Sequence, residues 1–205
     1  NEMKGSFSSP EGVLDRVVLN TLFPDNSYAD ESGWEPDLNP ELPYEQFLDY
    51  HRRYYHPSNS YIYLYGDMDM EEKLNWLDEE YLCRYENEPV DSAIRLQKPF
   101  TSMAEKEIPY SIASDEPEED NTYLSYNKVI GTSLDRELYL AFQILDYALL
   151  SAPGAPLKKA LTDAGIGKDI MGSYDTGIYQ PIFSVIAKNA IVEQMEEFVR
   201  IIEDV

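Results

Sequence analysis

The sequence predicts an α+β fold, with antiparallel sheets and helices layered on one face. Apolar residues recur at helical spacing in some segments and alternate at period two in others. The two kinds are mixed along the chain rather than strictly alternating, and no short-period repeat organises them. With 205 residues and 43% hydrophobic content, the chain suffices for one large domain or two small ones, and global disorder is excluded.

Ser8 or Ser9 caps a first helix with Pro10 in its first turn. Val13, Leu14, Val17, Val18 and Leu22 follow at spacings of three and four, so residues 10–23 read as a helix packed on one face. Residues 24–43, with Pro24, Gly33, Pro36, Pro40 and Pro43, form a long irregular stretch of the kind that is functional or wraps a surface. Tyr44, Phe47, Leu48 and Tyr55 mark a second helix at about 43–55, ended by Pro57. Ser60–Tyr65 alternates tyrosines and reads as a half-buried scaffold strand, broken by Gly66. Asp69 and Glu72 form a capping box for a helix at about 70–85. Residues 86–104 lose periodicity, hold Pro89 and Pro99, and read as a linker.

The second half restarts with a strand at about 106–113 and an acidic tip, Asp115–Asp120, whose like charges keep it in solvent. A strand at about 121–130 and a helix at 133–150 follow, the latter with Leu134, Leu138, Phe142, Leu145 and Leu149. Pro156 and Gly165 bracket a short helix, and two strands fit 168–175 and 180–188. Ile191, Met195, Phe198, Val199 and Ile202 carry a terminal helix. Asn1 in place of Met, and a helical pattern running out at Val205, predict a piece of something longer; the alternative is a complete domain with frayed ends.

Sixteen Lys and Arg against 39 Asp and Glu leave a formal net charge of −23. That argues against nucleic-acid binding, which needs a basic footprint, and against docking on an anionic membrane. No signal peptide or apolar run of membrane length is read. Cys83 is the only cysteine, so no intrachain disulfide or cysteine-type zinc site is expected, and a reducing compartment is the natural reading. Cys83 lies in a helical pattern beside Leu82 and reads as a half-buried, inert thiol.

His51 and His56 are the only histidines. A zinc-binding helix pair needs two rings at i and i+4. These are five apart, about 140° around a helix, so His51 reads as a helix-face residue and His56 as a hydrogen-bonding residue at the Pro57 turn. A Gly-x-Ser-x-Gly nucleophile segment and Gly-rich phosphate loops are absent. Carboxylates are too numerous for spacing to nominate a glycosidase pair. Composition and periodicity alone leave the function open.

An ordered series of short segments does not. Asn1-Glu2-Met3-Lys4-Gly5 is followed by Ser8-Ser9-Pro10, Leu22 through Tyr28, Ser32-Gly33, Phe47 through His51, Tyr55 through Asn59 and Gly66-Asp67. This series resembles the presequence-protease branch of the pitrilysin/insulinase metallopeptidases. The likeness is dense over 1–67 and continues more weakly over 133–165, in Leu145-Asp146-Tyr147 and Ala152 through Lys159.

The resemblance implies a pitrilysin or LuxS-metallohydrolase-like fold in two partial domains. Residues 1–85 would be the late part of the first peptidase domain, 86–104 a linker, and 105–205 the early part of the second. It implies a parent that degrades unstructured oligopeptides of targeting-peptide type, through water activated by Zn2+. Such enzymes bind zinc through an inverted His-x-x-Glu-His helix and a downstream Glu, here expected at Glu2. A carboxylate completing a His2Glu set leaves a fourth position for water. No His-x-x-Glu-His occurs in this chain, so the general base and two zinc ligands are expected before residue 1. The chain alone is then expected to bind no zinc tightly and to cleave nothing.

The acidic surface would attract cationic peptides, although acids spread over both halves read first as a solubility device. The expected partners are peptide substrates and the remainder of the parent chain, and severed sheet edges predict dimers or aggregates of the fragment. The location implied is the cytoplasm of a bacterium or an organellar matrix of a eukaryote. Two other classes stand beside this reading: a non-catalytic scaffold or assembly subunit of the same family, and an acidic binding module with no metal history.

Overall fold

The computed structural model describes residues 9–30 and 39–205. They fall into two compact units, one within Asn1–Ser32 and Arg95–Val205, the other within Gly33–Ile94. The boundaries lie in the two stretches that read as irregular, 24–43 and 86–104. The first helix therefore groups in space with the second half of the chain.

In the larger unit, α1 (Pro10–Leu22) starts where the Ser9 hydroxyl accepts a hydrogen bond from the Gly12 N–H at 3.3 Å, with Pro10 in the first turn. Three antiparallel strands follow: β1 (Thr122–Val129), β2 (Asp169–Asp175) and β3 (Ile182–Ala190), in spatial order β1-β3-β2. Between β1 and β2 lie α4 (Arg136–Asp146) and α5 (Pro156–Asp163), and α6 (Met195–Asp204) closes the chain. The smaller unit holds α2 (Tyr44–Tyr54) and α3 (Met70–Glu80).

β3 is central and the most apolar strand. Leu124 and Tyr126 of β1 stand opposite Ala187 and Val185, and Ile170 and Tyr174 of β2 stand opposite Ala187 and Phe183. These side chains share one face, since alternate residues point the same way. Leu150, Leu157, Leu161, Phe198 and Ile201 from the helices pack against that face to make the core. The opposite face of β3 presents Ser184, Ile186 and Lys188, and Lys188 reaches Glu11 of α1. Helices thus pack on one sheet face, and α1 adds a partial layer on the other.

The helix expected at 133–150 begins at Arg136, because the Asp135 carboxylate accepts from the Leu138 N–H at 3.1 Å. It ends in a wide turn, Tyr147–Ser151, closed by the Ala152 N–H donating to the Tyr147 carbonyl at 2.7 Å. That turn seats Leu150, 2% exposed, over Gly172 of β2. After α5, Gly165 takes φ 71° one residue beyond the cap, the left-handed position that ends helices on glycine.

Several expectations are corrected. Residues 60–65 form no strand among the described residues, and their tyrosines are exposed rather than half-buried. Period two specifies an extended chain but cannot supply the neighbouring strand. Residues 106–113 also form no ladder. Pro109 sits in the middle of that run and has no N–H to donate. The helix expected to reach 85 stops at Glu80 and tightens into a short turn at Leu82–Arg84. Its capping box is half made: Asp69 accepts from the Glu72 N–H at 3.0 Å, whereas the Glu72 carboxylate pairs with Lys73.

A methyl group on Gly172 would overlap Leu150 Cδ1 and meet its Cβ and Cγ at 3.0 Å. Gly172→Ala should therefore lower stability by about 1–3 kcal/mol, the usual cost of overpacking. Gly177→Ala, whose Cβ would touch only Asp175 Oδ1 at 3.4 Å, should stay near wild type. Urea denaturation of the two variants checks the contrast.

Candidate functional site

Each residue that the sequence nominated can be placed, with one exception. Glu2, the expected zinc ligand, lies outside the described residues. His51 of α2 stacks on Tyr55, with ring centroids 4.7 Å apart and planes 14° from parallel. His56 caps the short turn Pro57–Asn59: its Nδ1 accepts from the Ser58 N–H at 3.2 Å. Its Nε2 lies 4.0 Å from Glu88, and its ring meets Tyr85 edge-on at 5.3 Å. The two histidines are occupied locally and do not converge. Cys83 is exposed rather than half-buried, and its thiol donates to the Glu79 carbonyl at 2.9 Å. The helix ends before it, so the thiol sits on a turn at the surface.

A second arrangement, which sequence reasoning missed, ties α1 to the sheet. Lys188 Nζ donates to Glu11 Oε1 at 2.6 Å, and the Tyr123 hydroxyl donates to the same oxygen at 3.2 Å. Lys188 also sits 5.6 Å from the centre of the Tyr123 ring. The ammonium hydrogen bond holds the Glu11 carboxyl down at about 2, against an ordinary 4.5. The same bond raises Lys188. Burial pushes the Tyr123 hydroxyl up, and the neighbouring Glu11 charge adds to it. The partners are 177 and 112 positions apart in sequence, so no local pattern announces them.

Nearby segments are held by buried amides. Gln97 donates its N–H to Gln180 Oε1 at 2.6 Å, and Gln180 returns a bond to the Gln97 carbonyl at 3.3 Å. The Gln97 side chain accepts from the Asp25 N–H at 3.0 Å and donates to the Asp25 carboxylate at 2.8 Å. The Tyr28 hydroxyl accepts from the Tyr179 N–H at 2.8 Å. The residues just after α1 are thereby fastened to the strand-leading segment before β3. A residue read as linker, Gln97, is buried, with hydrogen bonds satisfying both its backbone and its side chain.

An open cleft of about 670 Å³ runs beside β2, lined by Leu150, Ser151, Gly154, Lys158, Ile170 and Gly172 among others. Lys158 crosses it to the Ile170 carbonyl at 2.8 Å. At the end of α4, burial pushes the Asp146 carboxyl up, and its Oδ1 has no hydrogen-bond partner among the described residues.

The zinc implied by the resemblance finds no seat here. Among the described residues, no group of three or more His, Cys, Asp or Glu is placed to hold a metal ion. The described residues do not fit the metal.

Comparison with known proteins gives the family. A family model described as the Peptidase M16 inactive domain matches residues 41–204. The chain belongs to the M16 peptidase family. It is similar to Protein HypA of Clostridium perfringens, 48% identical over 204 residues, covering 100% of this chain and 21% of that protein. It is similar to presequence protease 1 of Arabidopsis thaliana, a chloroplastic/mitochondrial protein, 34% identical over 208 residues, covering 100% of this chain and 19% of that one. The mitochondrial presequence protease of Danio rerio is 31% identical over 190 residues, 90% of this chain and 18% of that protein. The chain thus spans about a fifth of the length of the curated relatives it matches. The M16 assignment agrees with the motif series read from the residues, and the three-stranded antiparallel sheet with its helices agrees with the predicted α+β class. No helix among the described residues is long and apolar enough to cross a membrane.

The Glu11–Lys188 pair gives this M16 chain a pH signature. A carboxyl held below its ordinary value contributes stability that is full above 4.5 and lost as pH falls towards about 2. Glu11 remains 46% exposed, so screening keeps the contribution near or below about 1 kcal/mol. Glu11→Gln should be less stable than wild type at pH 7, and the gap should narrow steadily below pH 4.5. Denaturant titrations at a series of pH values measure it. A gap that widened on acidification would refute the pair's role.

Proposed function

We propose that the chain is part of a zinc-dependent metalloendopeptidase that degrades unstructured oligopeptides of the targeting-peptide type. The observation that carries this reading is the M16 match over 41–204, together with identity to two presequence proteases along nearly the whole chain. In this proposal residues 1–85 derive from the late part of the first peptidase domain and 105–205 from the early part of the second. The rest of the parent chain is the main partner. Glu2 is the downstream zinc ligand, and the general base and the two histidine ligands lie outside these residues.

This chain's own contribution is then to position rather than to react. α1 begins eight residues after Glu2 and is pinned at Glu11 by Lys188 and Tyr123. The surplus of acid, −23 in all, favours cationic peptides over anionic ones. In a bacterium such a protein would work in the cytoplasm, and in a eukaryote in an organellar matrix. Among the described residues β1 and β2 are the edge strands of the sheet, by which copies of the isolated chain would pair.

A second reading, a non-catalytic scaffold or assembly subunit, is favoured by one observation: the matching family model is described as an inactive domain. The two readings separate on the full-length protein. In the peptidase, Glu2→Gln should cut bound zinc and peptide cleavage together, with zinc affinity falling at least about tenfold. Zinc content and cleavage equal to wild type would remove Glu2 from the metal site. A wild-type protein that binds no zinc and cleaves no peptide would favour the scaffold. The purified 205-residue chain should cleave nothing; a chelator-sensitive cleavage rate from it would overturn the assignment of the base to residues outside this sequence.

A further inference from the structure

Residues 33–94 interrupt the larger unit in sequence. α1 and the turn after it come before them, and the sheet with its helices comes after. Among the described residues, the core built on β3 takes no side chain from α1 and none from 33–94. The polar attachments of α1 lie at its two ends. At its start, Glu11 accepts from Lys188 and Tyr123. Past its end, residues 23–30 meet two distant segments of the same unit.

One of these segments leads into β3. The Tyr179 and Pro181 carbonyls accept from the Ser133 and Ile130 N–H groups at 2.9 and 2.8 Å, which seats it at the end of β1. Gln180, between them, turns its side-chain amide to the backbone of Gln97, accepting at 2.6 Å and donating at 3.3 Å. The Gln97 side chain does the same to Asp25, accepting from its N–H at 3.0 Å and donating to its carboxylate at 2.8 Å. Asn26 donates to the Arg95 carbonyl at 3.0 Å, and the Tyr28 hydroxyl accepts from the Tyr179 N–H at 2.8 Å. Gln97 and Gln180 are each 8% exposed, so breaking these bonds strands buried polar groups away from water. Phe23 is fully buried and meets Tyr28 edge-on at 5.4 Å.

The chain entering 33–94 and the chain leaving it are therefore fastened side by side, and none of these bonds uses a residue of 33–94. We propose that α1, residues 23–30 and residues 95–205 form one discontinuous folding body. It is closed across 33–94 by the Asp25–Gln97–Gln180 relay, and the smaller unit opens while this body stays folded. Loop-closure entropy grows only with the logarithm of loop length, so an opened 33–94 pulls little on the relay. This body is the same whether the longer parent is a peptidase or a scaffold.

Hydrogen–deuterium exchange on the 205-residue chain in rising denaturant tests it. The amides of α1, Asp25 and Gln97 should lose protection in the same step as those of β3, and the amides of α2 and α3 at a lower concentration. Loss of α1 in a step of its own or together with α2 and α3, or one step for the whole chain, overturns the proposal. Gln97→Glu sets a second carboxylate against Asp25. It should split α1 from β3, with α1 amides exchanging at least about tenfold faster than in wild type. A joint step retained in that variant would refute closure by the relay. Adding Asp25→Asn lets donor and acceptor change places and should restore the joint step. A double variant no better than Gln97→Glu would refute the Asp25–Gln97 pairing.

Discussion

The larger unit depends on one strand. β3 donates and accepts along both edges, to β1 and to β2, and its Phe183, Val185 and Ala187 form the floor on which the helices rest. Burying it requires that every backbone group be paired, because an unpaired buried amide or carbonyl costs about as much as a lost hydrogen bond. The two neighbours meet that requirement. Once they do, the remaining geometry is constrained. α5 and α6 must present Leu157, Leu161, Phe198 and Ile201 to the same face, and the wide turn after α4 must lower Leu150 onto Gly172. Glycine at 172 is thus a consequence of the turn, and the turn a consequence of the need to close the core over β2.

The same strand carries the link to α1. Its alternation sends Ala187 into the core and Lys188 to the other face, where the ammonium meets Glu11 and the Tyr123 ring. One register therefore fixes both the hydrophobic layer and the polar clasp. A one-residue slip of β3 would turn Lys188 into the core and Ala187 towards Glu11, losing both together. The buried amides of Gln97 and Gln180 act in the same sense just ahead of β3, holding the residues after α1 against the chain that leads into the strand. Structure on the two sides of the sheet is coupled through β3, although Glu11 stands more than a hundred positions from both Lys188 and Tyr123.

What was legible in the sequence follows from range. Ser9, Pro10 and the apolar spacing of α1 are local, and the helix begins and ends within one residue of the expectation. Asp69 at the start of α3 and Gly165 after α5 are local signals of the same kind, although α3 ends five residues earlier than expected. β1, β2 and β3 were legible as apolar alternation, with shifts of one or two residues at their ends. Residues 106–113 form no strand, and Pro109 in their middle has no N–H to give a ladder. The candidate site divides in the same way. His56 at the Pro57 turn was readable, since a ring two residues before an amide is a local arrangement. The Glu11–Lys188–Tyr123 cluster was not, because nothing near Glu11 distinguishes it from 38 other acids. The family was legible only as an ordered series of segments, which carries information that periodicity lacks.

Two runs of the same chemical kind show where local reading ends. Tyr123 and Tyr126 lie in β1, where each ring finds a neighbour: Tyr123 meets Tyr110 edge-on at 5.6 Å and Lys188, and Tyr126 packs on the core. Tyr61, Tyr63 and Tyr65 alternate at period two and are exposed. Intrinsic strand preference cannot separate these cases, because it largely measures packing against neighbours. The difference is that β1 is laddered to β3, which gives its side chains a face to pack on. The smaller unit repeats this point throughout: α2 and α3 contain no buried residue, although Tyr44, Phe47, Leu74 and Trp76 carry the apolar content of core-facing helices. An apolar surface of this extent around an uncharged strand costs free energy in water and is uncommon on a protein that stands alone. The M16 match runs across both units, from residue 41 to residue 204. The family match therefore takes in the unit whose described helices bury no residue as well as the unit built around β3.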